Sequence, residues 1–96
     1  MVFCWNRQKE RQNRKEHYGL SFAVARRVFY DPDCAIGKDR VVDGQQRWHA
    51  LGFVPAVGAI VLVVHTVVYE TYECIRIISA REAERWEQER YWEGDL

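Results

Sequence analysis

Polarity along the chain changes period twice. Residues 6–17 (NRQKERQNRKEH) carry almost no apolar side chain but are strong helix formers. Asn6 at their head is a good N-cap. A helix that is polar on every side must be held by its flanks, here Phe3 and Trp5 before it and Tyr18 to Phe22 after it, with Gly19 as the expected stop. The short apolar run Val2–Trp5 reads as an edge strand. Phe22, Val24/Ala25, Val28 and Phe29 recur at helical spacing and predict a second helix, FAVARRVFY, capped by Ser21 and ended by the turn signal Asp31-Pro32-Asp33. Arg26 and Arg27 fall on its outer side.

Beyond Cys34 the period drops to two, which predicts a meander of strands at Cys34–Lys38, Gln45–Phe53, Ala59–Val67 and Glu73–Ser79. Asp43-Gly44 is a type I′ hairpin signal. AIVLVVHTVV is too uniformly apolar and β-branched for an edge, so it is expected at the sheet's centre. A charged helix, Ala80–Trp92, closes the chain with a narrow apolar stripe of Ala83, Trp86 and Tyr91. The order β-α-α-β-β-β-β-α implies an α+β domain: a small antiparallel sheet with two N-terminal helices and a C-terminal helix on one face.

Composition narrows this picture. The 96 residues suffice for one core and one domain, 1–96, and 48% hydrophobic with 29% charged residues describes a globular chain. The longest apolar stretch, Ala50–Val64, is shorter than the ~20 residues of a membrane helix and is broken by Gly52, Pro55 and Gly58. The start lacks a signal-peptide pattern, so a cytoplasmic protein without membrane association is expected. Cys4, Cys34 and Cys74 are odd in number and widely spaced, which argues against a disulfide framework or zinc knuckle and for reduced, structural thiols. Net charge is zero but unevenly spread. Residues 1–30 hold seven Lys/Arg against Glu10 and Glu16, a balance of +5; residues 31–96 hold seven against twelve acids, a balance of −5. A basic first third suits a polyanion or an acidic partner, and equally a solvated helix.

Candidate chemistry centres on IRIISAR. Alternation puts Cys74, Arg76, Ile78 and Ala80 on the less covered face of the last strand, with Ile75, Ile77 and Ser79 toward the helices. Arg81, in the first turn of the following helix, would lean over Arg76, and two guanidinium forks converging there would suit a phosphate. The same spacing fits a salt bridge with Glu73, Glu84 or Glu87. On the first helix Lys9, Asn13 and His17 share one face, and could neutralise a phosphate or transfer a proton. Arg7, Arg11 and Lys15, with Arg14 beside them, form a second, purely electrostatic face. Glu87 and Tyr91 share the face of the last helix that carries Ala83, where Tyr91 serves either a phosphate oxygen or simple packing. His49 and His65 have no short-range partner, so no metal is expected. No P-loop, GxGxxG or GxSxG is present.

In order along the chain, F-x-W with Lys9 and Asn13, His17 and Gly19 before LSF, VFYDP, DGQQRWHALG, VVHT, IRIISAR, and then Ala83, Glu87 and Tyr91 resemble the BrnT family of toxins from bacterial type II toxin–antitoxin operons. The resemblance implies a compact RelE-like endoribonuclease that halts translation, works without metal or other cofactor, and is neutralised by a BrnA-like antitoxin in a hetero-oligomer that meets operator DNA only through that antitoxin. It implies attack of a ribose 2′-hydroxyl on the adjacent phosphate. Arg76 and Arg81 would stabilise the transition state, Lys9 and His17 would contact phosphate or move protons, and Glu87 and Tyr91 would complete the site. Arg7, Arg11, Arg14, Lys15 and Arg47 would bind RNA. The chain departs from the family where E-H-Y-G replaces K-H-G, which puts Glu16 in place of a lysine beside His17 and inserts Tyr18. Asn6 and Gln46 stand where Asp and Glu are common. The alternative is a weak or inactive toxin-like module that binds its antitoxin or nucleic acid.

Overall fold

The computed structural model describes residues 1–69 and 71–94. Strand β1 is only Phe3–Cys4, because Asn6 turns the chain at once into helix α1, Arg7–Glu16. The Asn6 Oδ1 accepts from the N–H groups of Gln8 (2.8 Å) and Lys9 (3.1 Å), which satisfies two orphan donors of the first turn. Helix α2 is shorter than predicted. It covers Phe22–Ala25, capped by Ser21, and tightens into a 3₁₀ turn, Arg26–Tyr30. It stops at Asp31, whose extended backbone is what a residue before proline favours.

Four strands follow: β2 (Ala35–Val42), β3 (Gln45–Val54), β4 (Ala59–Tyr69) and β5 (Glu73–Glu82). They form an antiparallel meander, and β1 adds to β5 in parallel, giving the order β1-β5-β4-β3-β2 with β4 central. Asp43 and Gly44 both have positive φ, as a type I′ turn requires, and they close Val42 onto Gln45. That pairing extends β2 four residues past Lys38, with a bulge absorbing Asp39 and Arg40.

The main core lies between the sheet and the α1–α2 layer, where Phe22, Ala25 and Val28 meet Ala50, Val54, Val61, Val63, Ile77 and Ala80. The fit is tight at Gly52, where a Cβ would come 2.7 Å from the Val28 carbonyl oxygen. Helix α3, Arg85–Glu93, differs from expectation in place and extent. It packs through Tyr91, with Ala83 just ahead of it, on Leu51, Ile60 and Leu62, residues that alternate with the main-core set and so belong to the opposite face. The helices therefore cover both faces of the sheet. Polar α1 is fastened by hydrogen bonds as well as by its flanks. Glu10 accepts from the Phe22 N–H (3.1 Å), and buried Asn13 donates to the Ala80 carbonyl (2.8 Å) and accepts from the Ala80 N–H (3.0 Å). Asn13 thus does for the edge of β5, past the end of β1, what a neighbouring strand would do.

Candidate functional site

Strand β5 organises the site in a way that alternation alone misses. Its pairing with β4 runs Thr66–Arg76, His65–Ile77, Val64–Ser79 and Val63–Ala80, leaving Ile78 as a bulged residue. The extra residue resets the face. Ala80 joins Ile77 in the main core, and Ser79 and Arg81 move to the face that carries Arg76. The strand also continues to Glu82, so Arg81 is a strand residue paired with Leu62 and not part of a helix. The two arginines share a face but do not converge, since they stand five positions apart along the strand, about 15 Å.

They accordingly line separate clefts. Arg76 shares one of about 420 Å³ with Asn6, the α1 cap, Lys9 from α1, Gln45 and Arg47 from β3, and Thr66 from β4. Three cations and no carboxylate line it. Arg76 and Lys9 are exposed and Arg47 is half-buried, so all three remain hydrated and available to an anion.

The second cleft, of about 390 Å³, brings Arg81 together with His17, Asp39, His49, Ser79, Glu87 and Arg90. Glu87 is buried and holds Arg81 in a two-pronged ion pair, Nη1 to Oε1 at 2.7 Å and Nη2 to Oε2 at 2.9 Å. The salt bridge that spacing allowed is therefore present, with Glu87 as the partner. Burial by itself would raise the Glu87 carboxyl, but hydrogen bonds from Arg81 and from the Glu84 N–H (2.8 Å) outweigh it and hold Glu87 below its usual range. The hydrogen bond to Glu87 likewise makes Arg81 harder to deprotonate. Arg81 Nη1 also donates to the Glu82 carbonyl (3.2 Å). Three of its five N–H donors are thus engaged among the described residues, and the remainder suit an incoming oxygen.

Lys9 and His17 lie about 12 Å apart along α1, one at each cleft, with Asn13 between them clamped to Ala80. His17 Nε2 is 4.0 Å from the carboxylate of Glu16. Arg7, Arg11, Arg14 and Lys15 are exposed on the outer side of α1, where Arg14 has only a loose contact with Glu10 at 4.0 Å. Tyr91 stands apart from both clefts. Its hydroxyl donates to Asp31 at 2.5 Å, and burial, that bond and the charges of Asp31 and Asp33 push its pKa up to about 12. Asp31 also accepts from the Phe53 and Asp33 N–H groups. These bonds overcome the effect of burial and keep its carboxylate below the usual range.

His49, Asp39 and Ser79 are cleft residues that sequence reasoning missed. For His49 the signal was present, because Arg47 and His49 are two apart in β3 and must share a face. His65 lies on the other face, buried edge-on against Phe29, with Nδ1 finding no partner among the described residues. No group of His, Cys, Asp or Glu among the described residues has the arrangement of a metal site. No helix among them is long and apolar enough to cross a membrane. The sheet also brings Cys4 and Cys74 together at 2.7 Å between β1 and β5, a proximity their spacing in the chain conceals.

Comparison with known proteins agrees with this architecture. A family model described as "Ribonuclease toxin, BrnT, of type II toxin-antitoxin system" matches residues 5–87. The crystal structure of the Brucella abortus ribonuclease toxin BrnT superposes with a TM-score of 0.60 at 21% identity, covering 88% of this chain and 99% of that one. Comparison with curated protein sequences gives no match. The family match takes in α1, strands β2 to β5 and the first residues of α3, hence most of the residues that line both clefts. The chain belongs to the BrnT family of ribonuclease toxins of type II toxin–antitoxin systems.

Proposed function

We propose that this chain is a cytoplasmic, metal-independent endoribonuclease that inhibits translation, with a BrnA-like antitoxin as its neutralising partner. The observation that carries this reading is the cleft of Lys9, Arg47 and Arg76, three cations from three elements with no acid among its lining residues, on a chain whose net charge is zero. Such a cleft selects for phosphate against other anions only in part, but it suits a charge that grows during reaction. In the proposed step the ribose 2′-oxygen attacks the adjacent phosphorus, its proton passes to a base, and the bond to the 5′-oxygen breaks as that oxygen takes a proton. The products are a 2′,3′-cyclic phosphate and a 5′-hydroxyl. Arg76 and Arg47 would hold the equatorial oxygens, where preorganised donors contribute most, and Lys9 would neutralise the phosphate or protonate the leaving oxygen. Arg81, fixed by Glu87, and His17 would take the neighbouring part of the strand. The basic outer side of α1 would attract RNA from solution.

The weaker-toxin reading has its own observation, the Glu16 carboxylate near His17. Both are tested by inducing the chain alone and following growth and mRNA, with Arg76→Ala and Lys9→Ala as variants whose folding is checked by circular dichroism. Growth arrest with mRNA loss that both variants abolish is the expected result. Undiminished arrest in both would refute the cleft assignment. Intact RNA and normal growth, with an antitoxin still bound, would favour the inactive module.

A further inference from the structure

One feature of α1 serves neither the core nor the phosphate cleft. After the helix ends at Glu16, His17 is the C-cap, and the Gly19 N–H returns to the Arg14 carbonyl at 2.8 Å. This is the bond that closes a Schellman motif, in which the residue before Gly19 takes the left-handed conformation and is normally glycine. Here that residue is Tyr18, at φ +52°, with its side chain fully exposed at 104%. A tyrosine in this position bears the strain of the left-handed region and receives no packing in return. Gly19, expected as the stop, is one residue too late to relieve it.

Tyr18 stands on the rim of a third cleft, of about 400 Å³, with Leu20, Val24 and Val57 for apolar walls and His17 and Arg81 beside them. Glu82 and Glu84 also line it. Two carboxylates make it a poor seat for phosphate. They make it a good one for a flat apolar group with N–H donors at its edge, which is the description of a nucleobase.

We propose that this cleft binds an unstacked base of single-stranded RNA, with Tyr18 as the stacking platform and Glu82 or Glu84 accepting from the base's amino or imino edge. The inference rests on the RNA reading above and names a part of the substrate beyond the phosphate. Because Arg81 lines both this cleft and the second one, the base would belong to the part of the strand that runs along Arg81, beyond the phosphate held at Arg76.

The test uses a short fluorescein-labelled RNA with 2′-O-methyl riboses, which binds without being cut, and a series of the same RNA with one abasic site moved along it. Anisotropy titrations with the unsubstituted chain should show one position at which base removal weakens binding about tenfold, within the range of a base–aromatic stack. Tyr18→Ala should weaken binding of the intact RNA by a similar factor and lose the sensitivity to that position, whereas Tyr18→Phe should keep both. Equal losses at that abasic position in the unsubstituted chain and in Tyr18→Ala would overturn the proposal. So would a Tyr18→Ala protein that keeps its RNA affinity but loses capture of its antitoxin, which would assign the surface to that protein. If RNA binding depends on Arg76 but not on Tyr18, this inference fails alone. Without any RNA binding by the unsubstituted chain, the parent reading fails with it.

Discussion

The joint between α1 and β5 rests on one side chain, which makes its removal a sharp test of the fold. Asn13→Ala deletes both hydrogen bonds to Ala80 at once, to its carbonyl at 2.8 Å and from its N–H at 3.0 Å, together with a longer one to the Leu20 carbonyl at 3.5 Å. Ala80 is 1% exposed, so water cannot readily replace them. Each orphaned Ala80 group costs about 1–3 kcal/mol, giving about 2–6 kcal/mol in total. That is a large share of the ~5–15 kcal/mol by which a domain is stable. At ~4–8 °C per kcal/mol for a domain of this size, the midpoint should fall by at least ~8 °C in thermal melts, with a matching loss in urea titrations. Asn13→Asp gives a finer test. The carboxylate keeps the bond from the Ala80 N–H but faces the Ala80 carbonyl without a donor. Protonation restores the donor, so this variant should regain stability on mild acidification relative to Asn13→Ala. An Asn13→Ala protein within ~1 kcal/mol of the parent would refute the idea that the amide substitutes for a strand.

Three further outcomes follow from particular contacts. Tyr91→Phe should cost about 2 kcal/mol through loss of a hydrogen bond to a charged group, because the hydroxyl is bonded to Asp31. RNA cleavage per folded molecule should be unchanged, and a selective loss of cleavage would return Tyr91 to the chemistry. Gly52→Ala should destabilise by about 1–3 kcal/mol or more, since the new methyl would meet the Val28 carbonyl at 2.7 Å and Val28 Cγ1 at 2.9 Å; a neutral effect in denaturation would contradict that packing. His65 should make the fold sensitive to mild acid. Burial lowers its pKa, against a partial offset from the Val63 backbone, so the unfolded chain binds the proton first as pH falls through the ordinary range near ~6.5. The stability from this group is full above that range and declines below it, until the folded protein's own lower value is passed. Urea titrations between pH 7 and 5 should show this slope, and His65→Leu should flatten it.

Much of the local structure was decided by side chains close in sequence. Asn6 and Ser21 start helices where capping chemistry says they should, Asp43-Gly44 makes its turn, and a β-branched run becomes the central strand. The family was legible too, since ordered motifs record many positions at once. The spatial logic of the site was less so. A single bulge at Ile78 decides which face Arg81 and Ala80 occupy, and a bulge depends on how two strands register over their whole length, beyond any window of residues. Alternation therefore brought Arg81 over Arg76, whereas pairing with β4 keeps both in one strand and assigns them to different clefts. Asn13 shows the same division. Its neighbours in sequence mark it only as a polar residue on a polar helix. Its role as the missing strand beside β5 exists because Ala80, 67 residues away, presents a buried N–H and carbonyl that must be paired. Propensity and spacing set the elements; the obligation to satisfy buried backbone groups and to bury both faces of the sheet set how those elements meet.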